Sequence, residues 1–359
     1  DLGHKGCISC QNIRTMAIPE TPVRAETPIA FIQTIVQAYM ARGLNPSSAL
    51  EKAQIAPTLL KQKQARVTAL QMEWMSEAAM RELDDEALGW FRRRLPWGSY
   101  GMLARASVTA PNLGVAMKRW CRHHNLLTDD ISLQLHTSEG LAHIEFQEHP
   151  ERHVLGHFRE FCTVSVLRNA LGVACWLTDS RITLSRTDLH FERPAHADSY
   201  RVLFDGPVHF KDSADPARSR ISFDAGYLSL PVRRDEAALQ RMLQRALLLT
   251  VRPYRRDRLL VEKVRQVLGE HLEQARNAHE VAAHLGLSTR TLHRQLKEEG
   301  ATLQQLKDSV RRERALALLL KTRKPIKQIA AEVGFANDKS FMRAFRWWTG
   351  KTVEDLRGR

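Results

Sequence analysis

The chain has 359 residues, 43% of them apolar, and carries 54 Lys and Arg against 40 Asp and Glu, a formal charge of +14. That length holds two or three domains, the apolar content and the 14 prolines exclude a disordered chain, and the basic balance points to a polyanionic partner. The five cysteines, an odd number, argue against a disulfide framework and fit a reducing compartment, and the absence of a run of about 18 apolar residues predicts no membrane span.

Residues 1–27 read as an N-terminal extension. The chain opens on Asp1, Met16 begins a more ordinary start, and the first fifteen residues lack the apolar stretch of a signal peptide. Cys7 and Cys10 form a CxxC, but no second pair or neighbouring His completes a zinc site. From Pro28, the apolar residues Phe31, Ile32, Ile35, Val36, Tyr39 and Met40 recur at helical spacing until Gly43. Asn45-Pro46-Ser47 then caps a short helix to about Gln54. A long helix is predicted from Thr68 to Phe91, with Leu70, Trp74, Met75, Ala78, Leu83, Leu88 and Phe91 on its apolar side. After the aromatic turn Leu95 to Gly101, a further helix runs to about Trp120.

The periodicity then changes to two. Ile131, Leu133 and Leu135 alternate, as do Ala142, Ile144 and Phe146, around the turn Ser138-Glu139-Gly140, which predicts a hairpin. Residues 153–177 read as a helix burying Phe158, Phe161, Cys162, Val166 and Leu167. Short strands follow at Ile182–Leu184, Leu189–Phe191, Arg201–Phe204, Val208–Phe210 and Arg220–Phe223. The mixture predicts an α+β domain over residues 28–232. A connecting helix from Asp235 to Thr250 lies within a linker at 233–254, and a basic, all-α tail occupies 255–359. That tail holds 23 Lys and Arg against 13 Asp and Glu, so most of the net charge lies there.

No catalytic motif stands out in the first domain. His123 with His124, and His149, His153 and His157, are its histidine groups, and neither shows HExxH or a third ligand. Cys121, Cys162 and Cys175 sit in apolar contexts and read as structural. No Gly-rich phosphate loop or nucleophile elbow occurs, so no enzyme activity, cofactor or metal is expected. For a small-molecule effector, the expected pocket lies where Trp97 and Tyr100 meet the strands around His190 and Arg193, with Arg193 or Arg105 available to a carboxylate.

The tail repeats. Val281-Ala282-Ala283 aligns with Ile329-Ala330-Ala331, Leu285-Gly286-Leu287 with Val333-Gly334-Phe335, and Leu292 and Leu296 with Phe341 and Phe345. Each copy reads as helix, glycine turn, helix, with one extra residue in the second turn. The outward positions are basic or hydroxylated in both copies. Arg290, Arg294 and Lys297 fall on one face of the first reading helix, with Thr289 placed for phosphate and His293 for a base edge. Lys339, Ser340, Arg343 and Arg346 are the equivalents in the second, with Asn337 at the turn. Thr302 to Lys321 forms a helix of roughly 30 Å between the copies, close to one turn of B-DNA at about 34 Å. Double-stranded DNA with two half-sites is therefore the expected partner.

From Arg258 to Arg359 the sequence resembles the AraC/XylS-type transcription regulators, through LGLSTRTLHRQLK, GATLQQLKDSVRRERALALL, PIKQIAAEVGFAN and SFMRAFRWWTG. It departs at Lys339, where Gln is frequent, and at Val353, where proline is usual. PWGSYGMLARA and LHFERPAHADSY…FDGPVHF resemble the N-terminal domain of a subgroup related to ornithine-utilisation activators. The resemblance implies a cytoplasmic bacterial regulator, an effector-sensing and dimerising first domain, RNA polymerase as a partner, and activation. An architectural DNA-binding protein without an effector is the alternative.

Overall fold

The computed structural model describes residues 25–149, 155–211, 218–244, 257–271 and 277–357. Residues 1–24 of the expected extension, with Cys7 and Cys10, as well as His153 and the second half of the predicted connector, lie outside the described residues; the last three residues of that extension, Ala25, Glu26 and Thr27, instead belong to the first strand.

β1 (Ala25–Pro28) pairs antiparallel with β2 (Arg66–Thr68). Between them lie α1 (Ile29–Ala41) and α2 (Ser47–Lys52). α1 buries Phe31, Ile32, Ile35 and Tyr39 as its spacing predicts, but Met40 turns outward and is 67% exposed. α3 (Ala69–Glu82) opens on a capping box, in which Thr68 Oγ1 accepts the Gln71 N–H and Gln71 Oε1 accepts the Thr68 N–H.

α3 stops nine residues before the predicted end. Asp84, Leu88 and Gly89 take positive φ angles of 46°, 51° and 82°, and the chain wraps around the fully buried Asp85. Its Oδ1 accepts the N–H groups of Ala87 and Leu95, each at 3.0 Å; its Oδ2 accepts that of Gly89 at 3.0 Å and Arg42 Nη2 at 2.6 Å. Leu83, Leu88 and Phe91 are buried as a helix would have them, but they reach the core from a loop. A left-handed leucine costs energy that this carboxylate hub offsets.

The helix expected up to Trp120 is two, α4 (Ser99–Val108) and α5 (Leu113–Leu127). Pro111 disfavours helical backbone before it, and Asn112 Oδ1 caps the new helix through the Val115 N–H at 3.0 Å. The hairpin forms as predicted. β3 (Ile131–Ser138) and β4 (Leu141–Glu148) join through Glu139 and Gly140, both at positive φ, as a two-residue hairpin turn requires.

α6 (Arg159–Thr178) follows. It is long and apolar enough to cross a membrane by length and composition, but 83% of its apolar window is packed inside the protein. Beyond its first turn only Ser165, Arg168 and Asn169 stay partly exposed.

β5 (Leu184–Leu189) spans the gap between two predicted short strands, α7 (Asp198–Phe204) replaces the strand predicted at Arg201–Phe204, and β6 (Val208–Phe210) and β7 (Arg218–Asp224) complete the sheet. Tyr200 and Phe204, four residues apart, are buried on one face of α7. The strand order is β3-β4-β7-β5-β6, antiparallel except for β5 with β6.

α8 (Glu236–Leu243) is the described part of the predicted connector, and it belongs to the first domain: Leu239 and Met242 sit in that domain's core. The tail has its own core, built by α9 (Leu259–Glu270), α10 (Ala278–His284), α11 (Thr289–Glu298), α12 (Leu303–Lys321), α13 (Ile326–Glu332), α14 (Asp338–Thr349) and α15 (Val353–Arg357).

The two units meet where α6 ends. Asp179, in the left-handed region at φ 52°, accepts Arg258 Nη2 at 2.7 Å and Arg234 Nη2 at 2.8 Å, and its carbonyl accepts Arg258 Nε at 2.9 Å. Burial pushes its carboxyl pKa up, but the hydrogen bond from Arg258 and the charge of Arg234 hold it below the ordinary value. Lys263 of α9 pairs with Asp224 at 2.8 Å.

Candidate nucleic-acid interface

Each half of the tail is built by the same physics. α10 and α13 end in turns whose glycines, Gly286 at φ 65° and Gly334 at φ 80°, occupy a region unfavourable to a Cβ. The first turn spans four residues between α10 and α11, the second five between α13 and α14, which is the extra residue read from the sequence. Ser288 Oγ then caps α11 by accepting the Thr291 N–H at 3.1 Å, and Asn337 Oδ1 caps α14 by accepting that of Ser340 at 2.8 Å.

Leu292 and Leu296 anchor α11 in the core, and Phe341 and Phe345 anchor α14, each at most 1% exposed. Burying such side chains stabilises by about 1.5–3 kcal/mol apiece. With these faces fixed inward, the opposite faces are set. Arg290, His293, Arg294 and Lys297 of α11 are exposed, with Thr289 half-buried at its start. On α14, Lys339, Arg343 and Arg346 are exposed and Ser340 is half-buried. Asn337 is exposed, but its carboxamide oxygen is committed to the cap, leaving only the amide N–H groups for another partner.

Arg294 Nη1 rests on Glu298 at 3.1 Å, both side chains about 60% exposed. Exposed pairs of this spacing contribute about 0.3–0.5 kcal/mol, against about 1–3 kcal/mol for a bidentate guanine contact. The pair does not compete with DNA.

One residue of this surface escaped the sequence reading. Trp347 is 78% exposed and lies at i+4 from Arg343 and i+7 from Ser340, on the outer face of α14. Its neighbour Trp348 packs inward, its ring 5.7 Å from that of Phe335. The signal was present: once Phe341 and Phe345 are assigned to the core, position 347 must point away from it.

α12, 19 residues long and so about 28 Å, separates the two readers. It buries Leu303, Leu306, Val310, Ala315 and Leu319 in their shared core. Arg311 lies over the Phe335 ring at 5.1 Å, fixing α12 to the second turn.

Glu299 ties the end of α11 to the start of α9. Its carboxylate accepts the N–H groups of Leu260 at 3.2 Å and Val261 at 2.8 Å, and burial pushes its pKa up to about 7. The folded form thus holds this proton more firmly than the unfolded chain, whose carboxyl titrates near its ordinary value of 4.5. The stabilisation from the protonated form is complete below that value and lost as pH rises through about 7. Denaturant titrations of the wild type should show stability falling across this window, and Glu299→Gln should flatten the fall. An unchanged slope in the variant would assign the pH dependence elsewhere.

The five residues expected to form an effector pocket are not brought together. Trp97 is 47% exposed with Arg81 over its ring at 4.4 Å. Tyr100 packs edge-on against Trp120 and lines a cavity of about 60 Å³ with Trp90, His124 and Asn169. Arg105 pairs with Glu236 at 2.9 Å. His190 follows β5, and Arg193 is exposed, 3.6 Å from Asp198. The reason is topological: α4 and α8 pack together, drawing Arg105 outward, while His190 and Arg193 leave the sheet beside α7. Cys121, Cys162 and Cys175 are buried and unbonded, and burial pushes all three thiols up. Among the described residues no group of three or more His, Cys, Asp or Glu is arranged to hold a metal.

Residues 43–232 match the model of the arabinose-binding N-terminal domain of AraC transcription regulators, more than half of the chain, and residues 281–359 match a helix-turn-helix domain. The chain belongs to the AraC family of transcription regulators. Among relatives of this AraC-family protein, the ornithine utilization regulator of Pseudomonas aeruginosa is 27% identical over 334 residues, covering 92% of this chain and 96% of that one. The HTH-type transcriptional regulator VqsM of the same organism is 41% identical over 76 residues, 21% of this chain and 23% of its own. The crystal structure of the transcriptional regulator CdpR from Pseudomonas aeruginosa aligns at 20% identity over 92% of this chain and 98% of its own, with a TM-score of 0.33. Membership of the AraC family makes this a DNA-binding transcription regulator, not an enzyme.

Proposed function

We propose that this AraC-family regulator reads an operator with α11 and α14 in successive major grooves, and that its N-terminal domain makes that reading effector-responsive. The observation that carries the first part is the pair of basic faces held outward by buried Leu292 and Leu296 on α11 and by Phe341 and Phe345 on α14. Arg290, His293 and Arg294 read base edges in one half-site, and Lys339, Ser340 and Arg343 in the other. Thr289, Lys297, Asn337 and Arg346, nearer the helix ends, hold phosphates. Trp347 offers an apolar surface to a thymine methyl or a deoxyribose.

The chain acts in the cytoplasm as an activator that presents RNA polymerase to a promoter, and its first domain, residues 28–232 with α8 added, serves for sensing and for homodimerisation. Support for sensing comes from the match of residues 43–232 to an arabinose-binding domain and from the join at Asp179 and Arg258, which links that domain to the first helix of the reader.

Arg294→Ala and Arg343→Ala are each expected to weaken specific binding by about 1–3 kcal/mol and to relax one base position, while Trp347→Ala weakens binding with a smaller salt slope change than either arginine. Binding to operator and to random DNA, measured across a salt series, checks this. An equal loss on both DNAs would reduce the arginines to phosphate contacts.

A further inference from the structure

The five-stranded sheet ends on β3 at one side and on β6 at the other. β6 is three residues long and runs into the exposed Lys211, a charge of the kind that keeps an edge from pairing. β3 is eight residues long, ISLQLHTS, and contains no Asp, Glu, Lys, Arg or Pro. Its register with β4 is unbroken from Ile131 to Ser138.

In an antiparallel pair, residues alternate between turning both backbone groups toward the neighbouring strand and turning both away from it. Ser138 and Leu141 close the two-residue turn, so the even-numbered residues of β3 bond to β4 and the odd-numbered ones face outward. Leu133 shows this directly: Asn125 Oδ1 of α5 accepts its N–H at 2.8 Å, and its carbonyl accepts Asn125 Nδ2 at 2.9 Å. That side chain closes the edge at Leu133. Further along, the outward N–H and C=O groups of Leu135 and Thr137 make no hydrogen bond among the described residues. Gln134, His136, Thr137 and Ser138 are exposed, and the His136 ring stacks on that of His143 in β4 at 4.9 Å, back from the edge. The open stretch thus runs from Gln134 to Ser138, between the Asn125 clasp and the hairpin turn, and its centre is His136.

We propose that two copies of this chain pair through this edge, antiparallel across a two-fold axis at His136, so that their sheets continue into one. The inference rests on the reading that the first domain homodimerises, and it names the surface that does so. Leu135 then faces Thr137 of the second copy, Thr137 faces its Leu135, and each pair exchanges both backbone bonds. Such a surface is its own complement, as a two-fold contact requires. Charge favours the same partner. A chain of net charge +14 repels its copy, and this edge offers an approach with no Asp, Glu, Lys or Arg from Ile131 to Ser138. Two copies joined in this way bring two double readers to one DNA, and the second binds at the raised local concentration that a tether supplies.

Sedimentation of the full chain over about 1–100 μM, a range suited to a small interface, should show a monomer–dimer equilibrium. Thr137→Pro removes an N–H that faces outward and spares the β4 ladder, and it should weaken dimerisation at least tenfold. Circular dichroism checks folding, and Thr137→Lys, which sets like charges on the paired edge, replaces the proline variant if that fails. Register is read by cross-linking in a chain carrying Cys7→Ser and Cys10→Ser. On this axis the two copies of residue 136 lie about 4.5 Å apart at Cα, within disulfide reach, and those of residue 134 about 14 Å apart. His136→Cys should therefore form a disulfide-linked dimer on oxidation, and Gln134→Cys should not. A dimer unaffected by the folded Thr137 variant, or one that fails to cross-link at position 136, would overturn the edge and leave homodimerisation standing. A chain that stays monomeric across the whole range would remove both.

Discussion

Moving the two operator half-sites apart by about five base pairs, half a helical turn, should lower specific affinity by on the order of a hundredfold or more. Each lost base contact costs about 1–3 kcal/mol, and the displaced half-site loses two or three at once. The readers cannot follow the DNA, because α12 buries Leu306, Val310, Ala315 and Leu319 in the core that also holds Leu292, Leu296, Phe341 and Phe345. An insertion of about ten base pairs should be as harmful, since the correct face returns but α12 cannot lengthen. A flexible tether would tolerate both. Titration of the three DNAs at fixed salt decides it: undiminished affinity for the half-turn insertion would mean that only one helix reads bases.

Asp85→Ala should destabilise the N-terminal domain by about 3–5 kcal/mol, the cost of breaking a buried pair and orphaning its partner. The carboxylate satisfies three backbone N–H groups and Arg42, so its removal also leaves those donors buried unserved. Against a typical total of about 5–15 kcal/mol, this is a large fraction. Asp85→Asn should lose less, keeping an acceptor at Oδ1 while giving up the charge. Denaturant unfolding of the full chain measures both, and a loss below about 1 kcal/mol for the alanine variant would show that the left-handed turns at Asp84 and Leu88 hold without the hub.

The tail was readable because its rules are local. The glycine turn and the i, i+4 apolar pair each leave a mark in adjacent residues, and together they placed α11 and α14 and their outer faces; the Ser288 and Asn337 caps were not used. Trp347 was missed by reading the basic residues first and not extending the face to its end.

The N-terminal half was harder, since what decides it is non-local. The pattern Leu83, Leu88, Phe91 satisfies a helix and a wrapped loop equally, and Asp85 binds Leu95 from ten residues away. Arg201 to Phe204 has strand-like composition, but its register is taken by α7. The inward Glu73 and Ser76, 6% and 1% exposed, could not be told from solvent-facing residues by their spacing alone.

The unequal turns, four residues before α11 and five before α14, make the two readers similar but not interchangeable. They are also joined in one order along one chain. On the proposed reading, such a pair recognises an asymmetric sequence, and turning the site end for end presents each helix with the wrong half. A single chain bound this way has a front and a back on the DNA. The orientation of the operator, and not only its position, then dictates which side of the protein faces the start of transcription.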